Sequence, residues 1–373
     1  MSDWKEAILG DFISVKSGFS YKGKFIGNGK SVLLGMGCVS NNEKFLFTGA
    51  RPYSGECTET HLANPGDLVL ATRQQSDNLP ILGLPAIVPK ELANKKVIIG
   101  TNLYKVLNTS DISNKFIYWL LRWPEYYNHI LSSAKGSTVR MITKDAVESF
   151  KFLCPSKKER DKIEELLNSL DDKIDLLHQN NKTLEQLAET LYRKWFVEKS
   201  SQIEKTISEI SKITSGKGLN RTKFLEKGTY PIYGANGIIG WTDSFTSNDN
   251  IIITGRVGTL GAVKILDDKC WISDNVLIIK PNSELYKYPI YFSMKGYDFE
   301  SLNVGSTQPL LTQSELNKQL VLILDNDQLL SCKIYFDELY NKIKLNLNQI
   351  QQLETLRDTL LPKLMSGVVR VEN

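Results

Sequence analysis

Between residues 156 and 196 the seam positions fall at alternating steps of three and four: Ile163, Leu167, Leu170, Ile174, Leu177, Asn181, Leu184, Ala188, Leu191 and Trp195. That spacing draws one stripe along a helix and is the signature of a coiled-coil seam. Ser156-Lys157-Lys158-Glu159 follows Pro155 as a capping box, in which the serine oxygen and the Glu159 side chain each satisfy an orphan backbone N–H. At the α-helical rise the segment spans about 60 Å. A second stripe runs through Phe336, Leu339, Ile343, Ile350, Leu353, Leu360 and Leu364, interrupted by Asn346 and Arg357, and Asp325-Asn326-Asp327-Gln328 stands at its start as a second capping box. Neither helix can bury its stripe alone. The pattern therefore predicts that the two pack together, antiparallel because a globular segment intervenes; two unrelated amphipathic helices, each on its own domain, are the alternative. Asn181 at a seam position reads as a register-setting residue.

The two helices belong to a longer repeat. Gly136-Ser137-Thr138 recurs as Gly305-Ser306-Thr307, 169 residues on, and the same offset pairs Lys173 with Lys342, Leu184 with Leu353, Leu187 with Leu356 and Leu191 with Leu360. Upstream the match is looser: 12–18 (FISVKSG) against 210–216 (ISKITSG), and 68–73 (LVLATR) against 251–256 (IIITGR), which aligns Arg73 with Arg256. The shrinking offset places insertions in the first half. Short apolar runs at 67–72, 97–102, 250–254 and 276–280, bounded by Gly, Pro and Asn, read as strands. The expected fold class is α/β: two mixed α/β domains, 1–154 and 200–324, alternating with helical regions 155–199 and 325–373, with an internal pseudo-two-fold repeat.

Composition narrows the chemistry. Cys38, Cys57, Cys154, Cys270 and Cys332 are odd in number and show no C-x-x-C spacing, which speaks against a disulfide framework and a thiolate zinc site, and for a reducing, cytoplasmic setting. The charged start and the lack of a long apolar stretch predict neither a signal peptide nor a membrane span. Of the net charge of +4, residues 1–154 hold +5, 155–199 −1, 200–324 +1 and 325–373 −1, an excess compatible with a polyanion partner. Catalytic motifs fail. The 18–24 run has phosphate-loop spacing but places Phe25 where Ser or Thr must hold magnesium, and Gly29-Lys30-Ser31 lacks the first glycine. The three histidines are scattered, no amino-methyltransferase run is present, and Asp171-Asp172-Lys173 reads as solvated charge.

What remains suits nucleic acid. Arg73, Gln74 and Gln75, followed by Ser76-Asp77-Asn78, offer donors and acceptors matched to base edges, or else form a polar surface loop. Lys135, Ser137, Thr138 and Arg140 in the first half, and Ser306, Thr307 and Gln308 in the second, bring hydroxyls, amides and cations onto glycine-containing loops. They serve phosphates or bases, or make a tight turn before the capped helix. Arg256 is the second-half counterpart of Arg73.

Tyr233-Gly234-Ala235-Asn236-Gly237-Ile238-Ile239-Gly240-Trp241, Gly66-Asp67-Leu68-Val69-Leu70, the repeated Gly-Ser-Thr runs and Leu191-Tyr192-Arg193-Lys194-Trp195-Phe196-Val197 resemble the DNA-specificity (S) subunit of type I restriction–modification systems, over essentially the whole chain. The first half has no clear copy of the 233–240 run. The resemblance implies two target-recognition domains, each reading one part of a bipartite site in double-stranded DNA, and a central and a distal helix that pair and dock partners. Those partners would be modification (methyltransferase) subunits, two by the pseudo-symmetry, and restriction (endonuclease/translocase) subunits. It further implies no cofactor in this chain, S-adenosylmethionine, ATP and Mg belonging to the partners, and no catalysis by the chain itself. A stand-alone DNA-binding regulator of the same architecture is the alternative.

Overall fold

A computed structural model describes residues 4–75, 80–136, 139–198, 203–247 and 250–371. The chain forms two compact units, Met1–Leu176 with Gln349–Asn373, and Leu177–Asn348, so each unit takes one globular segment and a stretch of both long helices.

In the first unit a four-stranded antiparallel sheet runs in the order Ile13–Ser17, Leu103–Asn108, Leu68–Ala71, Pro85–Ile87. A second sheet, called the small sheet after its three-stranded counterpart in the other unit, joins Ala50–Tyr53, Ile26–Leu34, Val97–Ile99 and Leu62–Ala63, the first being the large sheet, and a ribbon pairs Lys5–Ile8 with Lys151–Cys154. The Asn114–Leu120 helix, capped by the Ser113 hydroxyl accepting from the Phe116 N–H, puts Phe116, Ile117, Trp119 and Leu120 into the core. The same core includes Ile163 and Leu167 from the start of the Lys157–Tyr192 helix and Leu361 and Leu364 from the end of the Asn326–Met365 helix.

The second unit repeats this plan, with three strands in its second sheet where the first unit has four. Its antiparallel sheet orders Ser211–Ser215, Val276–Pro281, Ile251–Gly255, Lys264–Leu266; Gly237–Thr242, Tyr230–Gly234 and Trp271–Ile272 make the smaller sheet; Ile203–Thr206 pairs with Leu320–Ile323. Here the helix contributions are Ala188 and Tyr192 from the end of the central helix and Leu329 and Phe336 from the start of the distal one. Within each unit the two helical segments therefore run antiparallel.

Registers match to the residue. Ser17 faces Tyr104 as Ser215 faces Leu277, and Ala71 faces Leu103 as Gly255 faces Val276. This corrects one sequence alignment: Thr72, not Arg73, is the counterpart of Arg256, and Arg73 corresponds to Val257. The Thr72 N–H donates to the Asn102 carbonyl as the Arg256 N–H donates to that of Asn275. A one-residue slip sends a side chain to the opposite face, so the two arginines are not equivalent. The largest insertion lies in the small sheet, where two residues, Ala235 and Asn236, link paired Gly234 and Gly237, whereas 36–48 link hydrogen-bonded Gly35 and Gly49.

Of the expected seam residues, Ile174 and Ile350 are buried in the first unit, and Leu177, Asn181 and Ile343 in the second; Leu184, Leu191, Leu353 and Leu360 are half-buried. Asn346 Nδ2 donates to Asn181 Oδ1 at 2.8 Å, both side chains buried. Asp171 departs from its reading as solvated charge: it is 4% exposed and accepts from Arg357 Nη1 at 2.7 Å, with Lys44 Nζ at 3.7 Å. Arg357 is thus satisfied by side-chain partners, whereas of Asn181 only Oδ1 is, its Nδ2 being buried without a hydrogen-bond partner among the described residues.

Both caps form, unequally. Ser156 and Glu159 exchange backbone bonds, the Ser156 N–H to Glu159 Oε2 at 3.3 Å and the Glu159 N–H to Ser156 Oγ at 3.4 Å. At the distal helix the Gln328 N–H donates to Asp325 Oδ1, but Gln328 Oε1 has no hydrogen-bond partner. Burial works to raise the Glu159 carboxyl, yet the Ser156 hydroxyl, the Trp4 indole, the Ser156 amide and Arg370 hold it below its usual range. A depressed carboxyl stabilises the fold above its unfolded pKa, about 4.3, and loses that contribution as pH falls through the lowered value. Acid titration followed by amide exchange at 157–160 should therefore show the cap opening below that pH in the native chain, and a Glu159→Gln variant should show no such pH step.

Candidate nucleic-acid interface

The sequence candidates sit at one end of the large sheet in each unit. In the first unit, the chain leaving Leu68–Ala71 forms a two-residue strand, Arg73–Gln74, that pairs with Arg140–Met141 (Arg140 opposite Gln74, Met141 opposite Arg73). Two loops separated by more than sixty residues thus become one surface. Arg73 and Arg140 are half-buried, Gln75 and Lys135 are exposed. Gln74 is turned inward, 4% exposed, its Oε1 accepting from the Leu82 N–H at 3.4 Å.

Gly136 and Gly305 occupy equivalent places in the two units. The Lys135 N–H donates to the Met141 carbonyl at 2.9 Å, and the Val304 N–H to the Leu310 carbonyl at 3.0 Å. A Cβ on Gly136, whose φ is +97°, would lie 2.3 Å from the Val139 carbonyl oxygen, and one on Gly305 would lie 2.0 Å from that of Gln308. Only glycine allows the carbonyl three residues on to fold back this closely. The turn reading of these runs therefore holds for the glycines, while Ser306, Thr307 and Gln308 project exposed from it. Ser137 and Thr138, like Ser76-Asp77-Asn78, lie outside the described residues.

In the second unit Arg256 binds its surroundings through backbone and side chain. Its carbonyl accepts from the Leu311 N–H at 2.8 Å, and Nη1 donates to Ser215 Oγ at 3.4 Å, an oxygen that also accepts from Gln313 Nε2. The 233–240 run is the hairpin of the small sheet. A Cβ on Gly255 would meet Ala235 Cβ at 3.1 Å, which sets the hairpin tip beside Arg256. Its counterpart in the first unit is Leu34 and Gly35, where the 36–48 insertion replaces the tight turn and hides the similarity.

Other chemistry finds little support. The 18–24 run leads into a 3-10 turn, Gly23–Phe25, and Lys30 lies in the Ile26–Leu34 strand, so neither occupies the strand-to-helix turn that cradles phosphates in a nucleotide site. Among the described residues no cluster of three or more His, Cys, Asp or Glu side chains could hold a metal, and no helix is long and apolar enough to cross a membrane. Burial pushes the Cys38 thiol up to about 12 and the Cys270 thiol to about 11, so neither is a thiolate at neutral pH.

The insertion carries a feature that sequence reasoning missed. Lys44 Nζ lies 2.9 Å from Asp172 and 3.0 Å from Asp175 on the central helix, besides Asp171. Burial works to lower the Lys44 pKa, but the three carboxylates raise it, so the ammonium stays charged. The available signal was Arg357 at a seam position, which demands a buried anion.

Comparison with known proteins agrees with this duplicated plan. The Haemophilus influenzae type I restriction enzyme HindI specificity subunit is 32% identical over 205 residues, covering 53% of this chain and 42% of that protein. The chain thus matches less than half of that relative's length. A Mycoplasma genitalium putative type I specificity subunit is 25% identical over 300 residues, 73% of this chain and 76% of that one. In fold, the crystal structure of a type I restriction–modification S subunit from M. genitalium aligns over 98% of this chain and 96% of its own, with a TM-score of 0.60 at 18% identity. The type I restriction modification DNA specificity domain family matches residues 1–186 and 201–355, and the chain belongs to that family.

Proposed function

We propose that this chain is the sequence-specific, non-catalytic DNA-binding subunit of a type I restriction–modification complex, reading a bipartite site in double-stranded DNA and directing adenine methylation and restriction to it. Segments 1–154 and 200–324 are the two target-recognition domains, and 155–199 and 325–373 the helical regions between and after them. The observation that carries this reading is the duplicated sheet end: in each domain a glycine turn at the equivalent place packs beside the strand end that carries Thr72 and Arg73 or Arg256. Arg73, Gln75, Lys135 and Arg140 in one domain, and Arg256, Ser306, Thr307 and Gln308 in the other, are the contact residues, with phosphates or base edges as their partners. S-adenosylmethionine, ATP and Mg act on the partner subunits.

Two modification subunits, one per repeat, dock on the helices, alongside restriction subunits. Exposed leucines support such docking: Leu176 and Leu356 in the first unit, Leu187 and Leu345 in the second, matched pairwise at the repeat offset, stand 44–63% exposed on helix faces that normally carry charge.

The test is a randomised-site selection on the complex containing this chain, compared with one in which residues 1–154 are exchanged for those of a relative. The exchange should change one half of the selected sequence and leave the other intact. A change in both halves together would refute two independent readers, and an unchanged sequence would remove the first domain from recognition.

A further inference from the structure

The 18–24 run, unsuited to nucleotide, has a structural twin. In the first unit the chain leaves the large sheet at Gly18, forms the Gly23–Phe25 turn and enters the small sheet where Ile26 pairs with Tyr53. In the second it leaves at Gly216, forms the Arg221–Lys223 turn and enters where Leu225 pairs with Trp241. Gly18 and Gly216 donate to the equivalent carbonyls, those of Leu103 and Val276. Counting back from Ile26 and Leu225, with one residue more between glycine and strand in the second unit, aligns Lys22-Gly23-Lys24-Phe25 with Arg221-Thr222-Lys223-Phe224: a cation, a spacer, a lysine and a phenylalanine in both copies.

Each phenylalanine anchors its turn on the small sheet. The Phe25 ring meets that of Tyr53 edge-on at 6.1 Å, and Phe224 lies against Gly240, where a Cβ would come within 2.9 Å of its ring. Each flanking cation is exposed, and among the described residues none of the four pairs with a carboxylate, unlike Lys44, Lys105, Lys287 and Lys344, which do. Two cations held at a short turn, the anchor kept in both domains while the surrounding loops diverge, suit a target that is the same at both half-sites. Bases differ between half-sites; phosphates do not.

We propose that Lys22 with Lys24, and Arg221 with Lys223, are matched clamps for the DNA phosphate backbone, one in each target-recognition domain. This rests on the reading of the chain as a DNA-binding subunit. The clamps set each domain's register on the duplex and contribute affinity without sequence preference.

The experiment uses the complex of this chain with its modification subunit and measures duplex binding over a salt series, with site selection in parallel. The unsubstituted complex must select a bipartite sequence; failure there sinks the parent reading itself. In Lys22→Ala/Lys24→Ala, and separately in Arg221→Ala/Lys223→Ala, the slope of log Kobs against log salt should become shallower by about 1.8, at about 0.9 per phosphate contact. Cognate and non-cognate duplexes should weaken in equal proportion, the selected sequence should not change, and Lys22→Arg/Lys24→Arg should restore the slope. An unchanged slope and affinity would overturn the clamps, and so would an altered preference at particular bases, which would make these residues readers of sequence.

Discussion

Arg357→Ala is expected to destabilise the first unit by about 3–5 kcal/mol, the usual cost of removing one partner from a buried ion pair. Arg357 is 3% exposed and donates through Nη1 to Asp171 and through Nε to Asp358 at 2.9 Å. Burial works to lower the arginine's pKa, but the two carboxylates outweigh it, so the guanidinium is charged at every working pH. Without it Asp171 keeps, among the described residues, Lys44 as its cation, at 3.7 Å and already shared with Asp172 and Asp175. The converse substitution separates pairing from packing. Replacing both residues with apolar ones, as in Asp171→Leu/Arg357→Met, should cost far less than the single change, because no buried charge is stranded. Thermal and denaturant unfolding of the three variants measures this; a single variant no worse than the double would show that the pair contributes nothing specific.

Phe336→Ala should cost the second unit about 3–5 kcal/mol, the range for emptying a buried aromatic site. Its side chain is fully buried between the central helix and the globular core, with ring centroids of Trp195, Tyr288 and Phe292 at 5.7, 5.0 and 5.1 Å. Leu353→Ala, at a half-buried seam position, should cost markedly less, since part of that side chain is already in water. Because the chain holds two compact units, each variant is read by hydrogen exchange at residues of its own unit rather than by one melting temperature. Equal destabilisation by the two substitutions would mean that the aromatic cluster is no tighter than the helix seam.

Arg73 and Arg256 aligned by letter but not by hydrogen bond, because a single-residue difference in strand register is invisible where both strands are runs of apolar residues. Asp171 looked solvated because its neighbours in sequence are charged; its environment is decided by Arg357, 186 residues away. The first-half counterpart of the 233–240 hairpin escaped notice because 36–48 had been inserted at its tip.

What the sequence determined by itself was whatever short-range physics encodes: the three-four spacing of the seam, the serine and aspartate caps, the glycines that permit a carbonyl to fold back at 136 and 305, and the repeat that doubles all of them. Each depends on residues within a few positions of one another, or on direct comparison of the two halves. The tertiary structure alone decided which distant groups meet: Arg73–Gln74 against Arg140–Met141, Asn181 with Asn346, Lys44 with the central-helix aspartates. Those contacts depend on strand register and on the rotation of each helix about its axis. Both are set by packing the whole core at once, and no local pattern of residues specifies them.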